Sequence, residues 1–155
     1  MPNGTILFVD DELAILKSFI RVFRTEDCNL ITANSAEEGL QIIQSQPVQV
    51  VISDQRMPNM TGAEFLSQVR KSHPHIIRII MSGYADIHAV IECINHAHIH
   101  HFLPKPWEND ELKKVVMSYL KTAQKMAETN QELQHTLVAT IAEQDRELME
   151  LRLRT

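Results

Sequence analysis

Five polar side chains interrupt an otherwise apolar framework, each directly after a run rich in aliphatic residues. Asp10 and Asp11 follow TILFV, Asp54 follows VVIS, Ser82 follows IIRIIM, and Lys105 follows IHHFLP. Three carboxylates held close together stay ionised only if positive charge sits among them. A hard divalent cation with oxygen ligands, Mg2+ or Mn2+, meets that need, with Lys105 as a second counter-charge. A set without histidine or thiolate argues against zinc. One carboxylate so held can attack an electrophilic phosphorus while the metal and Lys105 neutralise the phosphoryl oxygens and the Ser82 hydroxyl bonds one of them. Asp54 is the candidate nucleophile because it stands alone at its strand end, whereas Asp10 and Asp11 form a pair suited to clamping a metal. Taken singly, an aspartate after a strand is more often a helix cap or turn residue. What favours a site is the order of all five.

Such residues need elements that bring them to one edge. The strand candidates are 5–9, 29–33, 48–53, 76–81 and 99–103, rich in β-branched residues and without strict alternation, as in strands covered on both faces. Amphipathic stretches lie between them near 12–25, 35–45, 62–71 and 86–97. Ser35 with Glu38 and Thr61 with Glu64 have the spacing of helix-start capping boxes. This β-α alternation predicts an α/β fold, a five-stranded parallel sheet with right-handed crossovers and helices on both faces. In a doubly wound sheet the carboxyl ends of the strands share one edge, and ligands bind outside it. Pro58 and Gly62 are expected to shape the turn over the site.

After Pro106 the chain changes character, and residues 107–155 contain no glycine or proline. Leu112, Val116, Tyr119, Ala123, Met126, Asn130, Leu133 and Leu137 fall at alternating steps of four and three, the seam of a coiled coil. Ile141 comes one residue late, a stutter, and the seam resumes through Gln144, Leu148 and Leu151. One helix from about Asn109 is expected, with its first turns on the domain and the remainder paired with a second copy of the chain, a homodimer through residues 112–151. Asn130 at a seam position favours one register and two strands.

A chain of 155 residues accommodates one domain of 110–120 residues and an appendage. A net charge of −5 supplies no basic field for a nucleic-acid backbone. Cys28 and Cys93 lack metal-ligand spacing and read as free buried thiols in a reducing compartment. The opening MPNGTILFVDDE has no basic region before its short apolar run, and no apolar stretch approaches the roughly 20 residues needed to cross a bilayer. The cytoplasm is the expected location. His96, His98, His100 and His101 form the densest histidine cluster, read as surface or interface residues because alternate strand positions face opposite ways.

At FVDDE, VVISDQRMPNMTG, IIMSGY and HFLPKPW the sequence resembles the receiver domain of two-component response regulators, over about residues 3–123. The resemblance implies a CheY-like, flavodoxin-like sheet of strand order 2-1-3-4-5, with residues 1–123 as receiver and 124–155 as a coiled-coil helix continuing its last helix. It implies that Asp54 accepts a phosphoryl group from a sensor histidine kinase or phosphotransfer protein. Asp11, Asp54 and the backbone carbonyl of Arg56 would ligate Mg2+, with Asp10 acting through water. Lys105 would bind the phosphoryl group, and Ser82 and Phe102 would form a switch pair. Chemistry would extend to self-catalysed phosphotransfer and autodephosphorylation, with no separate enzyme domain visible in the sequence.

Some positions depart from the family pattern. Ser82 stands where threonine is common, and Phe102 lacks the hydroxyl of a tyrosine. Ala97 falls where glycine is usual, so a left-handed turn there would strain it. Arg56 and Tyr84 flank access to Asp54 and are expected to slow water attack on a phosphoaspartate. The helical finish ELMELRLRT fits a chain whose output domain follows Thr155. Two other readings stand beside this one: a Mg2+-dependent phosphohydrolase with an aspartyl nucleophile, which wants an acid where Arg56 stands, and a constitutive coiled-coil dimer scaffold. Receivers of this style resemble those joined to cyclic di-GMP phosphodiesterase or other enzymatic outputs.

Overall fold

The computed structural model describes residues 4–154, with the side chains of Tyr84, Glu92, Cys93 and His96 outside the description. The elements alternate as β1 (Thr5–Val9), α1 (Leu13–Phe23), β2 (Asn29–Ala33), α2 (Ala36–Ser45), β3 (Val50–Asp54), α3 (Gly62–Ser72), β4 (Ile77–Ser82), α4 (Ile87–Ala97), β5 (His101–Pro104) and α5 (Asn109–Arg154). A single 3-10 turn, Tyr84–Asp86, precedes α4. All five strands are parallel, in the order β2-β1-β3-β4-β5. The sheet is therefore the flavodoxin-like one expected from the motifs.

Strand side chains alternate between two cores, because successive residues face opposite sides of a sheet. Leu7, Val9, Val51 and Ile80 pack with Ala36, Ile43, Phe65, Leu66 and Val90, from α2, α3 and α4. Ile6, Phe8, Ile52, Ile79 and Met81 pack on the other side with Leu16, Phe19, Leu112, Val116 and Leu120, from α1 and α5. There Phe8 stacks on Phe19 with ring centroids 3.9 Å apart. Both faces being covered explains the near-continuous apolar strands.

Both predicted capping residues act. Ser35 accepts from the Glu38 amide at 3.1 Å, and Thr61 from the Glu64 amide at 3.2 Å. The Glu38 carboxylate reaches back one residue further than a capping box requires, accepting from the Asn34 amide. Three strands end one residue later than expected and begin one or two residues later: β3 includes Asp54, β4 Ser82 and β5 Pro104, since backbone pairing continues through these residues.

The turn after α4 corrects the reading of Ala97. Ala97 remains helical and fully buried, and the left-handed residue is His98, at φ 48°. Asn59 is the other described non-glycine residue with positive φ, at 69°. The turn is pinned by Arg78, a buried residue of β4 whose guanidinium donates to the carbonyls of Ala97, Pro74, Ile76 and His98 at 2.9–3.1 Å. Burial, then the charge of Arg70, holds Arg78 below its ordinary pKa. His100 accepts the Arg78 amide on Nδ1, and burial followed by the Arg78 charge holds it below its usual pKa. Among the described residues no histidine joins a metal-competent cluster. Cys28 is a half-buried free thiol, raised in pKa by burial and then by Glu26 and Asp27. Cys93 lies outside the described side chains.

The chain divides into two compact units, residues 1–123 and 124–155. Within the first unit Leu112, Val116 and Leu120 are buried against this chain's own sheet, and the Tyr119 hydroxyl donates to the His100 carbonyl at 3.1 Å. This corrects the expected dimer range of 112–151, because the first seam positions are already occupied. In the second unit Leu133, Leu137, Ile141, Leu148 and Leu151 are all exposed.

Candidate functional site

Backbone bonds extend the parallel sheet just past its strand ends and fix the polar residues there. The Asp10 amide donates to the Ala33 carbonyl at 3.1 Å, and the Gln55 amide to the Met81 carbonyl at 3.1 Å. The Lys105 amide donates to the Ser82 carbonyl at 2.9 Å, placing the lysine beside the end of β4. Residues separated by up to 95 positions thereby meet.

The site is built around Lys105. Its Nζ lies 3.0 Å from Asp54 Oδ1 and 3.1 Å from Asp10 Oδ2. Asp10 is wholly buried, and its other oxygen accepts from the Glu12 amide at 2.9 Å. Ligand oxygens of Asp10, Asp11 and Asp54 lie within 4.8 Å of one another, with Asp11 exposed to solvent. Three carboxylate oxygens open to water on one side suit a hard cation, and one lysine cannot balance three negative charges. The cluster fits the Mg2+ site that the resemblance implies.

Burial raises the pKa of Asp54; the Lys105 hydrogen bond opposes the rise, and the charge of Asp10 adds to it. Burial lowers Lys105, but its hydrogen bond to Asp54 and the charges of Asp54 and Asp10 outweigh that, so its pKa ends above the ordinary value. The lysine is thus a firm cation, and burial of Asp54 works against its charged form. A carboxylate whose pKa is raised by its surroundings in an open acidic site is a candidate reactive group.

The loop over the site depends on Gly62. Its amide donates to the Gln55 carbonyl at 3.0 Å, and the Gln55 side chain, itself buried, accepts from the Ala63 amide at 2.9 Å. A Cβ on Gly62 would stand 2.2 Å from the Asp54 carbonyl oxygen and 3.0 Å from the Gln55 Cα. Both neighbours are backbone, so no rotamer change relieves the clash. Gly62→Ala is expected to lower unfolding free energy by about 3 kcal/mol, read as a lower denaturant midpoint at unchanged slope. An unchanged midpoint would show that the loop is not held as described.

Of the remaining candidates, Phe102 is half-buried against the core formed with α2, α3 and α4. Ser82 is buried, and its hydroxyl lies 3.3 Å from both the Gly83 carbonyl and Asp86 Oδ2. Arg56 is engaged rather than free, with Nη2 2.8 Å and Nε 2.9 Å from Asp86 Oδ1. Tyr84, its expected companion, lies outside the described side chains. Asp86 leaves no signal in the sequence, since it lies 30 residues from Arg56 and reads simply as a helix start.

A family model described as response regulator receiver domain matches residues 6–117. The chain is 42% identical over 110 residues to the hydrogenase transcriptional regulatory protein HoxA of Cupriavidus necator, covering 71% of this chain and 23% of that protein. It thus spans about a quarter of the curated relatives it matches. An uncharacterised protein from Neptuniibacter caesariensis is 46% identical with TM-score 0.75, over 78% of this chain and 90% of that one. The signal receiver domain of an HD domain-containing protein from Pseudomonas fluorescens Pf-5 is 29% identical with TM-score 0.75, over 79% of this chain and 98% of that one. No described helix is long and apolar enough to cross a membrane. The match runs from the first core strand into α5 and takes in every strand end that carries a polar site residue, and this chain belongs to the family of response regulator receiver domains.

Proposed function

We propose that Asp54 is the phosphoacceptor of a two-component system, receiving a phosphoryl group in the cytoplasm from the phosphohistidine of a sensor kinase or phosphotransfer protein. The observation that carries this reading is the Lys105 ammonium bonded to both Asp54 and Asp10 beside an exposed third carboxylate. An Asp54 oxygen attacks phosphorus, the new P–O bond forming as the P–N bond breaks, and the departing imidazole nitrogen keeps the electron pair. Lys105 passes from its carboxylate partners to a phosphoryl oxygen, and the Ser82 hydroxyl donates to another. Asp10, Asp11, Asp54 and the Arg56 carbonyl would hold Mg2+. When bound, the cation supplies the charge neutralisation that one lysine cannot. Movement of Ser82 then allows the half-buried Phe102 ring to turn inward, a local hydrogen bond driving a packing change. The test is binding of a beryllofluoride-type phosphoryl mimic with Mg2+. Uptake is expected to be saturable and lost on chelation, and a chain that takes up none would end this reading.

Residues 1–123 are proposed to be the receiver and residues 124–155 a dimerising helix that carries its signal. Support comes from the seam positions left exposed: Leu133 is 62% and Leu137 60% exposed, more than a helix in water ordinarily leaves uncovered on one stripe. Because Leu112 and Val116 are already buried, the proposed contact begins near Met126. Replacing Leu133 and Leu137 together by Lys is expected to convert a dimer to a monomer in light scattering, with the receiver still folded. A wild-type chain that is monomeric at tens of micromolar, or a dimer that survives both substitutions, would refute this part alone.

A further inference from the structure

Asp86 occupies the N-cap position of α4, where an aspartate ordinarily accepts from the first helical amides. Here it makes no such bond. Its carboxylate instead divides between two residues of the site: Oδ1 takes the Arg56 guanidinium at 2.8 Å, and Oδ2 faces the Ser82 hydroxyl at 3.3 Å. Arg56 lies two residues beyond Asp54, and Ser82 ends the neighbouring strand, where Asp54 pairs with Met81. One carboxylate thus holds two groups whose chemistry suits a phosphoryl oxygen better than each other's company. We propose that Asp86 is a positioning residue for the phosphoryl group of Asp54: at rest it keeps Arg56 and Ser82 to itself, and the arriving phosphoryl oxygens take both from it. The guanidinium already feels two anions, since contact with Asp86 first and the charge of Asp54 last both push its pKa upward. Asp86, once released, stands at the N-cap of α4, where an aspartate ordinarily takes the first helical amides as partners. The exchange would couple phosphoryl uptake to the start of that helix.

The inference rests on Asp54 being the phosphoacceptor, and the experiment separates the two. The full chain, with Mg2+, is titrated with a beryllofluoride-type mimic as wild type, Asp86→Ala, Asp86→Asn, and with Asp86→Ala added to an Arg56→Ala, Ser82→Ala background. Freeing two ligands from a competing partner raises apparent affinity by the inverse of the free fraction, so Asp86→Ala is expected to bind the mimic about 3–10-fold tighter. Asp86→Asn keeps an acceptor for Ser82 but loses the charge facing Arg56, and is expected to show a smaller gain in the same direction. In the doubly substituted background the gain should vanish, whereas a general loosening of α4 would act alike in both. Unchanged or weaker binding by Asp86→Ala, with wild type binding normally through Asp54, overturns the role of Asp86 alone. Wild type that takes up no mimic overturns both readings.

Discussion

An Asp54→Asn chain is expected to gain no phosphoryl group from a small acyl-phosphate donor, where wild type with Mg2+ gains one, read by intact mass. The expected loss exceeds about 100-fold, because substitution removes the attacking atom itself rather than one stabilising contact. Asp10 and Asp11 are carboxylates in the same cluster, yet neither is placed to substitute for it. Asp10 is enclosed, with one oxygen bonded to the Glu12 amide and the other to Lys105, and Asp11 faces solvent without the lysine. The same variant should remain folded and, without metal, should be more stable than wild type at neutral pH. The sign follows from the raised pKa of Asp54. A carboxyl raised on folding contributes stability that is full below its unfolded value and lost as pH rises through the folded one. At neutral pH wild type has lost that contribution, and an amide carries no charge to lose. Labelling that persists in Asp54→Asn would mean that another residue is the acceptor.

How much of this arrangement is legible in the sequence depends on whether its partners are side chains in a repeating pattern. The strands are visible because both faces are covered, and their aliphatic content owes nothing to details of register. Their ends are less visible, because Asp54 and Ser82 look like loop residues while their backbones are still paired. The acidic cluster and Lys105 are readable because doubly wound topology sends strand carboxyl ends to one edge. Arg78 is visible in IIRIIM as a charge inside an apolar run, but its partners are backbone carbonyls, which leave no mark on the sequence. The same guanidinium explains why the tight turn falls at His98 rather than Ala97. Asp86 resembles any helix-capping aspartate until its missing amide bond is seen. The heptad pattern likewise cannot distinguish a residue facing its own sheet from one facing a second copy. Leu112 and Leu133 occupy equivalent steps of one seam, and only the first is covered within the chain.

Replacing Lys105 by Met is expected to destabilise the metal-free chain by about 2–3 kcal/mol at neutral pH. This is the lower side of what removing one partner of a buried ion pair costs, because the Lys105 side chain is 22% exposed. Methionine keeps the hydrophobic stem and deletes the charge, so the effect reports electrostatics rather than a cavity. Among the described residues Asp10 then has no cation in contact, and Asp54 loses the hydrogen bond that opposes its raised pKa. The loss should depend on pH in a stated direction. Lys105 itself, raised above 10.5, stays charged until strongly alkaline pH, so its own contribution is constant across the acid and neutral range. Asp54 sets the pH-dependent part: its share of the gap should close below its ordinary value of 3.8 and widen as pH rises through the still higher folded pKa. Added Mg2+ should recover more stability in the variant than in wild type, since the cation replaces charge that only the variant lacks. Phosphoryl uptake should not recover with it, remaining about 100-fold slow, because the group that meets the developing phosphoryl charge is gone. A pH-independent loss would place the effect in packing around Pro106 and Trp107 instead.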